Sequence, residues 1–334
     1  MFHFLYFSIF RSTRESHSLN AREVAPAGAG VDMFQGDSSL SSKGPLSIAV
    51  PGEIAGYWEA RRRFGNPEIS WQRILQPTID MCRTGVQVSH TMAGELEDRD
   101  FTDEEMRKVF LDPSTGEGWK EGDHYTRVKL ADTLEMLAEA GDDGDDVFYN
   151  GTIAEMLIYD LQERGGILTL EDLASYHPQL QPPLNISLAS NLTLLTQPPP
   201  GSGAVLAAIL NIMSHYETGS GEADVQFYHH LVESFKWSYG ARTQLGDPSD
   251  EYHREDINNV VDNITSATWA RKVFERINDT ATNNDPGYYG ATFYNIDDHG
   301  TAHLSIVDQG VYHAESDRIL TFYLVIYKMG MQCQ

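Results

Sequence analysis

A glycine followed by a threonine at the mouth of an alternating stretch is what a chain needs to cut itself, and here it reads Asp297-Asp298-His299-Gly300-Thr301-Ala302-His303-Leu304-Ser305-Ile306-Val307. The Thr301 hydroxyl can attack the Gly300 carbonyl, shift the acyl group from nitrogen to oxygen and lose it to water. The α-amine so freed has a pKa near neutrality and stands beside the hydroxyl, where it replaces the histidine base of other acyl-transfer enzymes. Gly300 tolerates the strained conformation of a scissile bond. Period-two alternation sets Thr301, His303 and Ser305 on one face of a strand, with Ala302, Leu304 and Ile306 directed to a core. Taken alone, a Gly-Thr pair describes equally well a turn running into a strand.

Further runs decide between those readings. Asn20-Ala21-Arg22-Glu23-Val24-Ala25-Pro26, Ile48-Ala49-Val50-Pro51-Gly52-Glu53-Ile54-Ala55-Gly56-Tyr57, Pro200-Gly201-Ser202-Gly203, Tyr228-His229-His230-Leu231-Val232-Glu233-Ser234-Phe235-Lys236, Leu245-Gly246-Asp247-Pro248 and Gly300-Thr301-Ala302-His303-Leu304-Ser305 follow one another in the order found in a known family. With them the chain resembles the gamma-glutamyltranspeptidases, or glutathione hydrolases, from about Asn20 to Val307. The resemblance implies that Thr301 is both the self-cleavage site, after Gly300, and the nucleophile. It implies that Arg22 holds the α-carboxylate of the γ-glutamyl donor. A planar carboxylate suits a guanidinium, which meets it with two parallel charged hydrogen bonds. The implied donors are glutathione and other γ-glutamyl compounds, the implied acceptors an amino acid, a dipeptide or water, and no cofactor is expected.

The resemblance also implies a fold: α/β (α+β), the N-terminal-nucleophile hydrolase four-layer αββα sandwich, expected to be incomplete here. Residues 1–18 are unmatched, 19–300 are similar to the large subunit, 301–308 begin a region similar to the small subunit, and 309–334 diverge. Family motifs of the small subunit that position the donor and build the oxyanion hole are not found after Asp308. One oxyanion donor is worth roughly 3 to 4 kcal/mol. The expectation is therefore a weak or inactive enzyme in this chain alone, or else a non-catalytic secreted glycoprotein that keeps the large-subunit fold, or an incomplete gene product.

Composition narrows the partners. With 49 acidic against 24 basic residues the formal charge is −25, which repels nucleic acid and anionic lipid. Sequons at Asn150, Asn185, Asn191, Asn263 and Asn278 favour a chain that meets the glycosylation machinery, hence an extracellular or cell-surface location. Cys82 and Cys333 give no metal spacing, and Cys82 reads as a small core hydrophobe. The apolar stretch Met1–Phe10 is half the ~20 residues that span a bilayer. It is open to reading as a signal-peptide core or as a beginning unlike the family's own, and a membrane role would need an anchor absent from this sequence. Asp142-Asp143-Gly144-Asp145-Asp146 lacks EF-hand spacing and reads as a solvated loop, while the adjacent His229 and His230 diverge by about 100° and do not share a metal.

The elements that must hold these residues read as mostly helical, with strands at the ends of the pattern. Ser70 caps a helix from Trp71 that carries Ile74, Leu75, Ile79 and Cys82 on one face, and Pro77 kinks or restarts it. Leu130, Leu134 and Leu137 mark a helix closed by Gly141, and Thr152 with Glu155 forms a capping box for one ended by Gly165-Gly166. Asp224 caps the longest helix, with Val225, Tyr228, Val232, Phe235 and Tyr239 as its core stripe. Asn185 to Leu195 reads as one strand, and Ile319 to Tyr327 as a strand whose apolar run aggregates if nothing covers it.

Overall fold

The strand Glu15–Ala21 is closed to solvent on both faces, because Ser18, Leu19 and Ala21 are all fully buried. A strand in that position needs a ladder on each edge. It is β2: β1 (Phe4–Phe10) lines one edge from Phe4↔Ala21 to Phe10↔Glu15, and β5 (Gln179–Gln181) lines the other, both antiparallel. The apolar opening stretch is thus a sheet strand. The structure, a computed structural model, describes residues 4–10, 15–97, 99, 101–188, 193–216, 224–249, 252–293, 301–307 and 321–327, of which 4–10, 301–307 and 321–327 as backbone alone.

The chain forms two compact units, one of Met1–Arg22, Phe34–Gly44 and Pro178–Gln334, the other of Glu23–Met33 and Pro45–His177. The second unit is helical. It contains α1 (Glu53–Phe64), α2 (Trp71–Thr84), α3 (His90–Glu97), α4 (Glu104–Phe110), α5 (Val128–Glu139), α6 (Asp146–Tyr149), α7 (Thr152–Gln162) and α8 (Leu170–Ala174). Its short strands β3 (Val86–Gln87) and β4 (His124–Tyr125) pair antiparallel. Ser70 caps α2 by accepting the Arg73 N–H at 3.1 Å, and Ile79 and Cys82 pack on Ala131 and Ala138 of α5. Pro77 lies inside one continuous helix and Ile74 faces out. The capping box expected at Thr152 is not formed, since Gly151 is the cap residue and Thr152 already lies in the helix. The box sits instead at α8, where Thr169 and Asp172 exchange side-chain and backbone bonds.

The acidic run at 142–146 is not wholly a solvated loop. Gly144 is buried at φ +53°, and a Cβ there would come 2.0 Å from the Trp58 ring, so only glycine fits. Burial raises the half-buried Asp145 carboxyl above its usual value, with the charges of Asp146 and Glu59 adding to the effect.

The first unit is built around α9 (Gly203–Met213), whose residues are apolar nearly all round and almost all buried. A helix of that kind must be enclosed. α10 (Val225–Arg242), α11 (Arg254–Ile264) and α12 (Ala267–Phe274) pack on it, and Leu194 of a hairpin joins Leu206 and Ala207. That hairpin, β6 (Leu184–Ser187) with β7 (Thr193–Thr196), replaces the single strand expected from Asn185 to Leu195: the chain reverses, and Leu184 faces Thr196. Strands therefore occur in mid-chain as well as at its ends. β8 (Thr301–Val307) pairs antiparallel with β9 (Thr321–Tyr327) over its whole length, which gives the Ile319 to Tyr327 run a partner.

The core stripe expected on α10 is overturned. Val225 is 87% exposed and Tyr228 57%, and Val232, Phe235 and Tyr239 are exposed as well. The inward face carries Trp237, Ala241, His230 and Glu233. Glu233 and His230 are tolerated there because each finds a partner: Glu233 takes the Tyr289 hydroxyl at 3.0 Å, and the His230 ring meets Asp279 Oδ1 at 2.9 Å, whereas Trp237 Nε1 and Ser238 Oγ are buried without a hydrogen-bond partner among the described residues. Helices and antiparallel sheets thus coexist in the α+β manner expected. No helix among the described residues is long and apolar enough to cross a membrane.

Candidate active site

Arg22 directly follows β2 and is half-buried. Its backbone N–H donates to Asn20 Oδ1 at 3.1 Å, an Asx-type bond that turns the chain out of the sheet at this residue. Beneath it the ladder is locked by Ser18, whose hydroxyl donates to the Gln197 side chain in the buried interior. The following segment is fixed within its own unit. Val24 and Val50 exchange backbone bonds of 3.3 and 2.9 Å, and the Ala27 N–H donates to Asp172 Oδ1 at 2.8 Å. Burial alone would raise the Asp172 carboxyl, but the Ala27 N–H and the Thr169 hydroxyl and N–H hold it below the usual carboxylate value.

The glycine-bearing run at 48–57 depends on a distant side chain. Gly52 caps α1 without a side chain of its own, and Tyr149 supplies the missing group: its hydroxyl accepts the Ala55 N–H at 3.3 Å and donates to the Pro51 carbonyl at 2.7 Å. Burial pushes the Tyr149 hydroxyl well above its ordinary pKa, so it stays protonated and keeps donating. Neither Tyr149, Asp172 nor the Ser18–Gln197 pair is visible as a site from the sequence, because each acts across a long separation. A capping pattern at Thr169 and Asp172 was the one local signal available.

Thr301 is the first residue of β8, opposite Tyr327 of β9. Gly300 lies outside the described residues. Thr301 and Arg22 belong to the same compact unit but to different sheets, Arg22 after the central strand of β1-β2-β5 and Thr301 at the head of the β8-β9 pair. The Pro200-Gly201-Ser202-Gly203 run forms the tight entry to α9, where a Cβ on Gly203 would come 2.2 Å from the Gln197 carbonyl oxygen. Among the described residues, no group of three or more His, Cys, Asp or Glu is placed to hold a metal ion. Asn150, Asn185, Asn263 and Asn278 are exposed, and Asn191 lies outside the described residues. In the Asn278 sequon the side-chain oxygen accepts both the N–H and the hydroxyl of Thr280 at 3.0 Å.

Comparison with known proteins gives a consistent result. Residues 5–311 match the family model described as gamma-glutamyltranspeptidase. Scoloptoxin SSD14 of Scolopendra dehaani is 37% identical over 96% of this chain and 54% of its own length. Glutathione hydrolase 2 of Arabidopsis thaliana is 36% identical over 86% of this chain and 49% of its own. The chain thus spans about half the length of the curated relatives it matches. The crystal structure of Helicobacter pylori gamma-glutamyltranspeptidase superposes with a TM-score of 0.76 at 26% identity, covering 88% of this chain and 84% of that one. The fold class is that of these neighbours, the αββα class expected from the sequence.

Proposed function

The chain belongs to the gamma-glutamyltranspeptidase family, and from that premise we propose that it supplies the nucleophile and the donor clamp for γ-glutamyl transfer or hydrolysis of glutathione and its conjugates. The observation that carries this reading is the family match over residues 5–311, which includes both Arg22 and Thr301. Thr301 Oγ first attacks the Gly300 carbonyl. The peptide nitrogen leaves, an ester forms, and water releases the new N-terminal threonine. The freed amine then takes the hydroxyl proton as Oγ attacks the γ-glutamyl carbonyl, and the amine leaving group departs with a proton. The γ-glutamyl ester passes to water, an amino acid or a dipeptide. Arg22 holds the donor α-carboxylate through a two-point charged contact.

The reading extends to location. The exposure of Asn150, Asn185, Asn263 and Asn278 supports glycosylation and passage to the cell exterior.

Intact mass with N-terminal sequencing of the secreted, deglycosylated protein tests the proposal against a Thr301→Ala control. A fragment beginning Thr-Ala-His-Leu in the wild type alone is the expected result. With the amine as base, kcat/KM for glutathione hydrolysis rises with pH through the range of an α-amino group, about 7.7 to 8.0. A chain that stays whole under all conditions removes the nucleophile and leaves a non-catalytic glycoprotein.

A further inference from the structure

α12 carries Lys272, and Arg276 stands four positions on, in the turn that closes the helix. Neither has an ion-pair partner among the described residues, although the neighbouring Arg271 is paired with Glu275 at 3.0 Å. The Lys272 and Arg276 side chains are both exposed, in a chain with 49 acidic residues against 24 basic ones. Arg276 lies instead over an indole, its Cζ 4.1 Å from the Trp237 ring centroid. Stacking occupies the faces of a guanidinium and leaves its edge N–H groups directed outward in a planar fork.

Both cations border an open cleft of about 260 Å³ whose other walls include Trp237, Trp269, Val273 and Tyr289. The floor is rigid, since Trp237 meets Tyr289 edge to face at 5.4 Å and both are buried. Aromatic walls take an apolar group, and a fork beside an ammonium takes a carboxylate. The volume lies just under the range of drug-sized pockets, room for one ring and a short chain. We propose that this cleft binds a small carboxylate with an aromatic or branched apolar body, its acid on Arg276 and Lys272 and its body against Trp269. The site does not depend on chemistry at Thr301.

Titration calorimetry of the full chain with 3-phenylpropionate tests this, with 3-phenylpropanol and 3-phenylpropylamine as neutral and cationic counterparts. The carboxylate should bind saturably at one site. The alcohol should bind about tenfold more weakly and the amine not at all, because each forfeits the charged hydrogen bonds. The double variant Lys272→Gln, Arg276→Gln should lose about tenfold in affinity with its melting temperature unchanged, both side chains being exposed. If that variant melts early, the Lys272→Gln variant alone, away from the indole stack, should still weaken the carboxylate and leave the alcohol unchanged. No saturation up to about 10 mM, equal binding of acid and alcohol, or an unaltered affinity without the cations would each overturn the proposal.

Discussion

Glu233 carries its carboxylate into the interior with only 2% of its surface exposed. The Tyr289 hydroxyl donates to it from 3.0 Å, the Thr282 hydroxyl from 2.5 Å, and Lys236 Nζ stands 3.5 Å away. A charge at that depth persists only where donors surround it. Glu233→Ala removes the acceptor that the Tyr289 and Thr282 hydroxyls share, although the Asn283 carbonyl still takes Lys236 and Tyr289, and should lower stability by about 2 to 4 kcal/mol, read as a fall in the urea midpoint. Glu233→Gln still accepts from Tyr289 and should lose less. Asp172 sets a different test. Its carboxyl titrates below the unfolded value of about 3.9, so its contribution is present above that pH and is lost as pH falls through the lowered native value. Asp172→Asn should therefore flatten the acid limb of the stability curve below about pH 4; an acid limb identical to the wild type would contradict the assignment.

At the scale of elements, α10 shows how periodicity can locate a helix and misplace its face. The Asp224 cap was legible and forms, with the Phe227 N–H 2.9 Å from its side chain. The stripe of Val225, Tyr228, Val232, Phe235 and Tyr239 was equally legible, yet it points outward. What turned the helix was α9, against which small and flat residues fit, and Gly240, where a Cβ would come 2.1 Å from the Tyr289 carbonyl oxygen. Those are pair contacts, and no single segment encodes them. Replacing Tyr228 and Val232 together by serine should accordingly change stability by about 0.5 kcal/mol or less, whereas Trp237→Ala should lose about 3 to 5 kcal/mol. Thermal melts of the two variants separate the orientations. The apolar faces of α2 and α5 were readable from Ile79, Cys82, Leu130 and Leu134, and the structure packs those faces on each other. The hairpin at 184–196 was not, since its alternation continues through the reversal. Of the candidate site, Thr301 and Arg22 rest on motif, while the Ser18–Gln197 bond in the strand before Arg22 leaves no local pattern because it joins residues far apart in the chain.

For the molecule as a whole, the charge of −25 dominates behaviour in dilute buffer. Self-repulsion of that size opposes compaction, and salt shortens its reach from about 30 Å at 0.01 M to about 3 Å at 1 M. The exposed pairs, such as Arg99 with Glu95 at 2.6 Å, contribute little enough that screening them matters less. Melting temperature should therefore rise between low and moderate sodium chloride; a fall would mean that the ion pairs outweigh the repulsion. A cut at the 300–301 bond would fall immediately before β8. β8 is laddered to β9 along every residue from Thr301 to Val307, and the whole hairpin lies on the far side of that bond. Severing it would divide the covalent chain without breaking a rung of the β8–β9 ladder, so a denaturing gel would show two species and the new fragment would keep its paired strands.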